Sequence, residues 1–166
     1  MAAVLGMTVP EVEKTLRANG LEEIDIANLN APQQVVISGP VDRVLVAGTM
    51  FERAGARMFI PLKVSGAFHS RYMAAAREEF EKFLSGFTFA PPKITVISNV
   101  HARPYESDEV MRNLAHQITS PVRWVETIQF LLREQNPEFE EIGPGAVLTG
   151  LIRQIKAGDA TAPRSS

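Results

Sequence analysis

The sequence predicts an α/β (α+β) fold in two parts: a split β-α-β-β-α-β unit, then an α/β layer with too few strands to be whole. Three observations carry this. Apolar strand patterns alternate with helix patterns over the first sixty-odd residues. Cap and turn residues fall where the split order needs its breaks. Beyond residue 64 the chain holds several helix patterns but only two or three strand candidates, fewer than a doubly wound sheet requires.

Met1 to Leu5 is a short apolar strand candidate, present from the first residue. Thr8-Val9-Pro10-Glu11 has the form of a capping box, with Thr8 as N-cap and Glu11 set to reach back. The helix it opens places Val9, Val12 and Leu16 on one face and ends at Asn19-Gly20. Ile24 to Leu29 alternates apolar and polar, and Gln34 to Ser38 is a β-branched run. Asn30-Ala31-Pro32 joins them as a turn. Pro40 starts a second helix with Val41, Val44, Leu45 and Phe51 at helical spacing, Gly55 closes it, and Met58 to Val64 reads as strand. This order is the ferredoxin-like one. It assigns residues 1–63 to a small subdomain.

Residues 64–157 read differently. Ser70 to Leu84 is a helix with Met73, Phe80, Phe83 and Leu84 inward. Pro91-Pro92 precedes Ile94 to Ser98, a compact run typical of a buried strand. Asp108 to Ile118 is helical, Pro121 restarts a helix through Leu132, and Phe139 to Ile142 is a last strand. Gly143-Pro144-Gly145 turns the chain into a helix ending near Ile155. Residues 158–166, small and polar, read as a disordered tail.

At 166 residues, 45% hydrophobic and 22% charged, the chain can bury a substantial core. A formal net charge of -2 gives no electrostatic reason to expect nucleic acid or an anionic membrane as partner. There are no cysteines, which excludes disulfides, thiolate metal sites and cysteine nucleophiles, and fits a cytoplasmic protein. No apolar run approaches the roughly 20 residues that cross a bilayer, and no signal peptide is expected from the first residues.

The strongest chemical signal is Val64-Ser65-Gly66-Ala67-Phe68-His69-Ser70, a histidine between a strand end and a helix start. Such junctions face the crevice of an α/β sheet, and an imidazole can take and return a proton near neutral pH. A lone histidine there is more often a cap or a structural residue, so the motif alone decides nothing. Gly143-Pro144-Gly145 lacks the lysine and spacing of a phosphate cradle and reads as a tight turn. His101 and His116 have no ligand-like partners, and no metal site is expected. Lys63, Arg71 and Arg123 read as solvated surface by default, and Trp124 as core.

Five motifs occur in order: Asn28-Leu29-Asn30-Ala31-Pro32-Gln33-Gln34-Val35-Val36-Ile37-Ser38-Gly39, the His69 motif, Ile97-Ser98-Asn99-Val100, Gln117-Ile118-Thr119-Ser120-Pro121-Val122-Arg123-Trp124, and Glu141-Ile142-Gly143-Pro144-Gly145-Ala146-Val147-Leu148-Thr149-Gly150-Leu151. The series, from Met1 to about Lys156, closely resembles the malonyl-CoA:acyl carrier protein transacylase family of fatty acid and polyketide synthesis. The resemblance implies a hydrolase-like α/β subdomain carrying a ferredoxin-like one, with this chain its C-terminal portion. It implies ping-pong transfer of a malonyl group from CoA, the substrate, to the phosphopantetheine thiol of an acyl carrier protein, with no cofactor. His69 would be the base, oriented by the main-chain carbonyl of Gln117, with no triad aspartate. Phe68 beside His69 leans toward malonyl over methylmalonyl, a difference of ~1–3 kcal/mol at most. Asn30 and Val147 are further substrate-binding candidates.

The departure from the family is large. No Gly-x-Ser-x-Gly occurs in the chain, and the family's malonate-gripping arginine and glutamine-rich loop also fall outside it. Ser65 and Ser70 flank His69 without an elbow, so the chain alone is expected to be inactive. Alternatives are an acyl hydrolase of the same fold and a non-catalytic carrier-protein-binding module.

Overall fold

The structure, a computed structural model, describes residues 1–161. Its first half runs β1 (Ala2–Leu5), α1 (Val9–Ala18), β2 (Asp25–Ala31), β3 (Gln34–Ser38), α2 (Val41–Arg53) and β4 (Met58–Pro61). The four strands make one antiparallel sheet in the order β2-β3-β1-β4. Each helix therefore steps over one intervening strand: α1 over β3, α2 over β1.

Strand alternation assigns the faces. Ala2 and Val4 of β1 and Val35 and Ile37 of β3 pack against Val12 and Leu16 of α1 and Val44, Ala47 and Phe51 of α2. Ala3, Ala27 and Val36 form a smaller cluster on the opposite face. Val35, Val36 and Ile37 are all buried, as expected of a strand covered on both sides. Thr8 and Glu11 behave as their spacing predicts: the Glu11 carboxylate accepts from the Thr8 amide and hydroxyl at 2.7 Å each. Gly6, which turns the chain out of β1, sits at φ +84°, and a Cβ there would stand 2.7 Å from the Arg57 Cβ.

Several boundaries move from their predicted places. The turn after β2 is Pro32-Gln33, because Ala31 still pairs with Gln34. On α2 the buried stripe is Val44, Ala47, Gly48 and Phe51, while Val41 and Leu45 are exposed. Gly48 leaves room for the Phe59 ring, which stacks on Phe51 at 5.9 Å. β4 stops at Pro61 rather than Val64.

The second half is helical: a 3-10 turn at Arg71–Met73, then α3 (Ala74–Leu84), α4 (Val110–His116), α5 (Trp124–Leu131) and α6 (Val147–Thr161). The strands predicted at 94–98 and 139–142 do not form. Ile97 makes only an isolated bridge to Pro104, and Ile94 and Ile142 are 77% and 92% exposed. A strand exists only where a neighbour takes its N–H and C=O groups, and the sheet formed by residues 2–61 does not reach these segments. Phe83, expected inward, is 62% exposed, although Leu84 is buried.

The helix expected from Pro121 begins instead at Trp124, because the preceding residues serve β2. Leu29 N–H donates to the Val122 carbonyl at 2.9 Å and Val122 N–H to the Ala27 carbonyl at 2.8 Å. This parallel bridge covers the β2 edge that β3 leaves open. Helix α6 runs past Ile155 to Thr161. The rest of the expected tail, 162–166, lies outside the described residues. Among the described residues, no helix is long and apolar enough to cross a membrane.

Candidate functional site

His69 follows an extended stretch and precedes the 3-10 turn. Its φ of +57° is left-handed, a conformation that a non-glycine residue holds only when its surroundings impose it. Ser70, 1% exposed, is part of that constraint: its Oγ donates to the Ala67 carbonyl and accepts from the Tyr72 amide at 3.3 Å. With both capacities engaged and the side chain buried, Ser70 is no elbow nucleophile. Ser65 is exposed.

The imidazole Nδ1 lies 2.9 Å from the Gln117 carbonyl and 3.2 Å from that of Ser120. Both partners only accept, so Nδ1 must carry a proton. In the neutral tautomer so selected the lone pair is on Nε2, to which no hydrogen bond is made among the described residues. Gln117 is the C-cap of α4, where helix carbonyls lack internal partners. The loop behind it is folded by Ile118 N–H to Ala115 O at 3.3 Å and Thr119 N–H to His116 O at 3.1 Å. That fold brings the Ser120 carbonyl onto the same nitrogen, an acceptor the sequence reading missed.

A second set of bonds ties the residues after His69 to β2. The Arg71 amide donates to Asp25 Oδ2 at 2.9 Å, and its guanidinium grips both Asp25 oxygens and reaches the Glu22 carbonyl at 3.1 Å. Tyr72 Oη donates to the Glu23 carbonyl at 2.8 Å. The Asp25 hydrogen bonds raise the Arg71 pKa above its usual value. Arg71 is thus a structural clamp rather than a free surface cation. Arg123 is likewise engaged by Glu126.

A cleft of about 500 Å³ opens beside His69, lined by Asp25, Ile26, Arg71, Arg77, Thr119 and Pro121. Arg77 Nη2 donates to His116 Nε2 at 2.8 Å, a contact the sequence reading did not anticipate. Burial first, and then Arg77, hold the His116 pKa below its usual value. A second cavity, about 550 Å³, lies between α5 and α6 and shares no lining residue with the first. Trp124, half-buried, and Thr127 line it.

His69 and Gln117 are therefore brought together. Phe68, adjacent to His69, is 38% exposed, and its ring lies 3.5 Å from where a Cβ on Gly66 would stand. Asn30 sits half-buried on β2, and Val147, 71% exposed, opens α6. No hydrogen bond among the described residues joins either to His69. Gly143 and Gly145 both adopt positive φ in a turn, in keeping with the tight-turn reading.

An imidazole fixed through one nitrogen at the edge of an open cleft has a geometry compatible with proton transfer. Residues 1–162 match the acyl transferase domain family, and the chain belongs to it. A polyketide biosynthesis malonyl CoA-acyl carrier protein transacylase of Bacillus subtilis is 50% identical over 165 residues, 99% of this chain and 57% of that protein. The crystal structure of the malonyl CoA-acyl carrier protein transacylase from Burkholderia pseudomallei matches with a TM-score of 0.90 at 43% identity, covering 98% of this chain and 56% of that one. A malonyl-transacylase solved in complex with a type II PKS acyl-carrier protein matches at 0.87 and 31% identity, over 93% of this chain and 50% of its own. The chain thus spans about half the length of these relatives.

Proposed function

We propose that this chain is the C-terminal portion of a malonyl-CoA:acyl carrier protein transacylase, with residues 1–63 as its ferredoxin-like subdomain and 64–157 as part of its hydrolase-like one. The observation that carries the reading is His69 Nδ1 at 2.9 Å from the Gln117 carbonyl with Nε2 unengaged. The names of the relatives and the carrier protein in the solved complex support malonyl-CoA and an acyl carrier protein as partners. A cytoplasmic location accords with the lack of cysteine.

In this mechanism a serine from outside the given sequence attacks the malonyl thioester while Nε2 takes its proton. The C–S bond breaks, and the proton passes from Nε2 to the departing CoA sulfur. The phosphopantetheine thiol then gives its proton to Nε2 and attacks the seryl ester, and the serine oxygen leaves with that proton. The imidazolium of each step is stabilised by the two carbonyls on Nδ1. Phe68, Asn30 and Val147 complete the assignment as substrate-binding residues, Phe68 by limiting space near the malonyl α-carbon.

The test is incubation with malonyl-CoA followed by intact-mass spectrometry, first of this chain, then with the remainder of the relatives' length supplied in trans. No malonyl adduct alone, and malonyl-carrier protein on complementation, are expected. A malonyl ester on Ser65 or Ser70 would overturn the mechanism. Free malonate in place of the loaded carrier would make the protein a hydrolase, and carrier binding without turnover would make it a docking module.

A further inference from the structure

The contacts around α3 and α4 close a ring. From His69 the chain enters the 3-10 turn and α3, and Arg77 projects from that helix toward α4. Arg77 Nη2 donates to His116 Nε2 at 2.8 Å. The next residue, Gln117, presents the carbonyl that accepts from His69 Nδ1 at 2.9 Å. The His116 carbonyl is itself held by the Thr119 amide and hydroxyl, at 3.1 and 3.3 Å. One residue thus sets the last turn of α4 from two directions, through its ring to α3 and through its main-chain carbonyl to the loop that carries Ser120.

We propose that Arg77 and His116 are a positioning pair, locking the end of α4 against α3 so that the Gln117 and Ser120 carbonyls stay aimed at His69 Nδ1. The pair touches no reacting atom and acts through the tautomer and orientation of His69. The inference rests on the reading of His69 as the base, and it adds a condition on that base. His116 must be neutral, since Nε2 accepts only without a proton. Protonation would turn the acceptor into a donor and set a cation against Arg77. The other charged or titratable groups acting on His116 are Glu81 of α3, Arg112 of its own helix and His101 of the intervening loop. Glu81 favours the charged form, while Arg112 and His101 oppose it. Because Glu81 also lies 3.9 Å from Arg77, the cation is held from both sides.

The experiment is ring-nitrogen NMR of the 166-residue chain with labelled histidine, which reads the tautomer of each imidazole directly. In the unaltered chain His69 should show the Nδ1–H form with a slowly exchanging downfield proton, and His116 should show an unprotonated Nε2. Arg77→Met and His116→Leu should each cost that proton at least a tenfold loss of exchange protection. His116→Gln retains an acceptor for Arg77 with no charge at any pH, and it should restore protection to within twofold. In the unaltered chain protection should also fall as His116 protonates, whereas His116→Gln should keep it to lower pH. Unchanged His69 signals in both Arg77→Met and His116→Leu would overturn the proposal, as would a His116→Gln chain no better than His116→Leu. The readout is the imidazole itself, so a failure of malonyl transfer in the complemented protein is a separate result.

Discussion

Asp25, the first residue of β2, and Arg71, two residues past His69, form a bidentate ion pair that fastens the small sheet to the start of the following helical region. Arg71 is 60% exposed in that pair, so solvent screens it, and its removal should cost only about 0.2–1 kcal/mol of global stability. Its effect on the site should be larger than its effect on the fold. Asp25→Asn in a complemented transacylase is expected to lower transfer several-fold with little change in urea midpoint. The exchanged pair Asp25→Arg with Arg71→Asp should recover part of the loss. Equal losses in rate and stability would show a general weakening.

On the proposed mechanism, His69→Ala should reduce malonyl transfer in the complemented protein by about 10²–10⁴-fold, the usual contribution of a general base. Binding of carrier protein should be nearly unchanged. A quenched-flow or gel-shift assay of carrier loading separates the two quantities.

Gly6→Ala should destabilise the small sheet. The substitution forces a side chain into φ +84° and sets its Cβ 2.7 Å from that of Arg57, whose amide bonds to the Leu5 carbonyl. A cost of about 1–3 kcal/mol is expected in urea unfolding. Gly20→Ala also meets positive φ, but nothing stands within 4 Å of its Cβ, so it should cost less.

Stability should fall on the acid side in two stages. The His116 pKa is depressed in the folded chain, so the unfolded chain binds the extra proton first. Stability is therefore complete above about 6.5, the ordinary histidine value, and declines as pH falls from there toward the folded pKa. The carboxylates of Glu11, bonded to Thr8, and Glu141, bonded to Thr149 and the start of α6, are also depressed. Their contribution is complete above the unfolded carboxylate value and is lost as pH falls through the lower folded one. Thermal unfolding against pH checks both stages. His116→Gln should flatten the first only, and Glu141→Gln the second only in part.

The β-α-β-β-α-β order was readable from the sequence because each of its strands pairs with another strand within residues 2–61. The apolar face of α1 and the Thr8–Glu11 cap are local signals that survive folding, whereas on α2 the buried stripe shifts to Val44, Ala47, Gly48 and Phe51. Residues 94–98 carry a strong β-branched pattern and 139–142 a weaker one, Phe139 and Ile142 around two glutamates, yet both remain irregular, since pattern supplies a face but not a partner. The His69–Gln117 pairing was anticipated only through the family resemblance. Nothing in the spacing of the two residues announces it. Asp25–Arg71 and Arg77–His116 were missed for the same reason, being separated by 46 and 39 positions with no motif to mark them.

Two of the attachments around His69 end at one strand. Arg71 and Tyr72, just after His69, are moored to Glu22, Glu23 and Asp25 at the entrance to β2, and the segment that offers the Ser120 carbonyl is moored by Val122 to Ala27 and Leu29 further along it. The imidazole and one of its acceptors are thus like the two jaws of a caliper mounted on a single bar. Slack introduced among α5 and α6 would shift both jaws little, while a change in the twist of β2 would reset the gap between them.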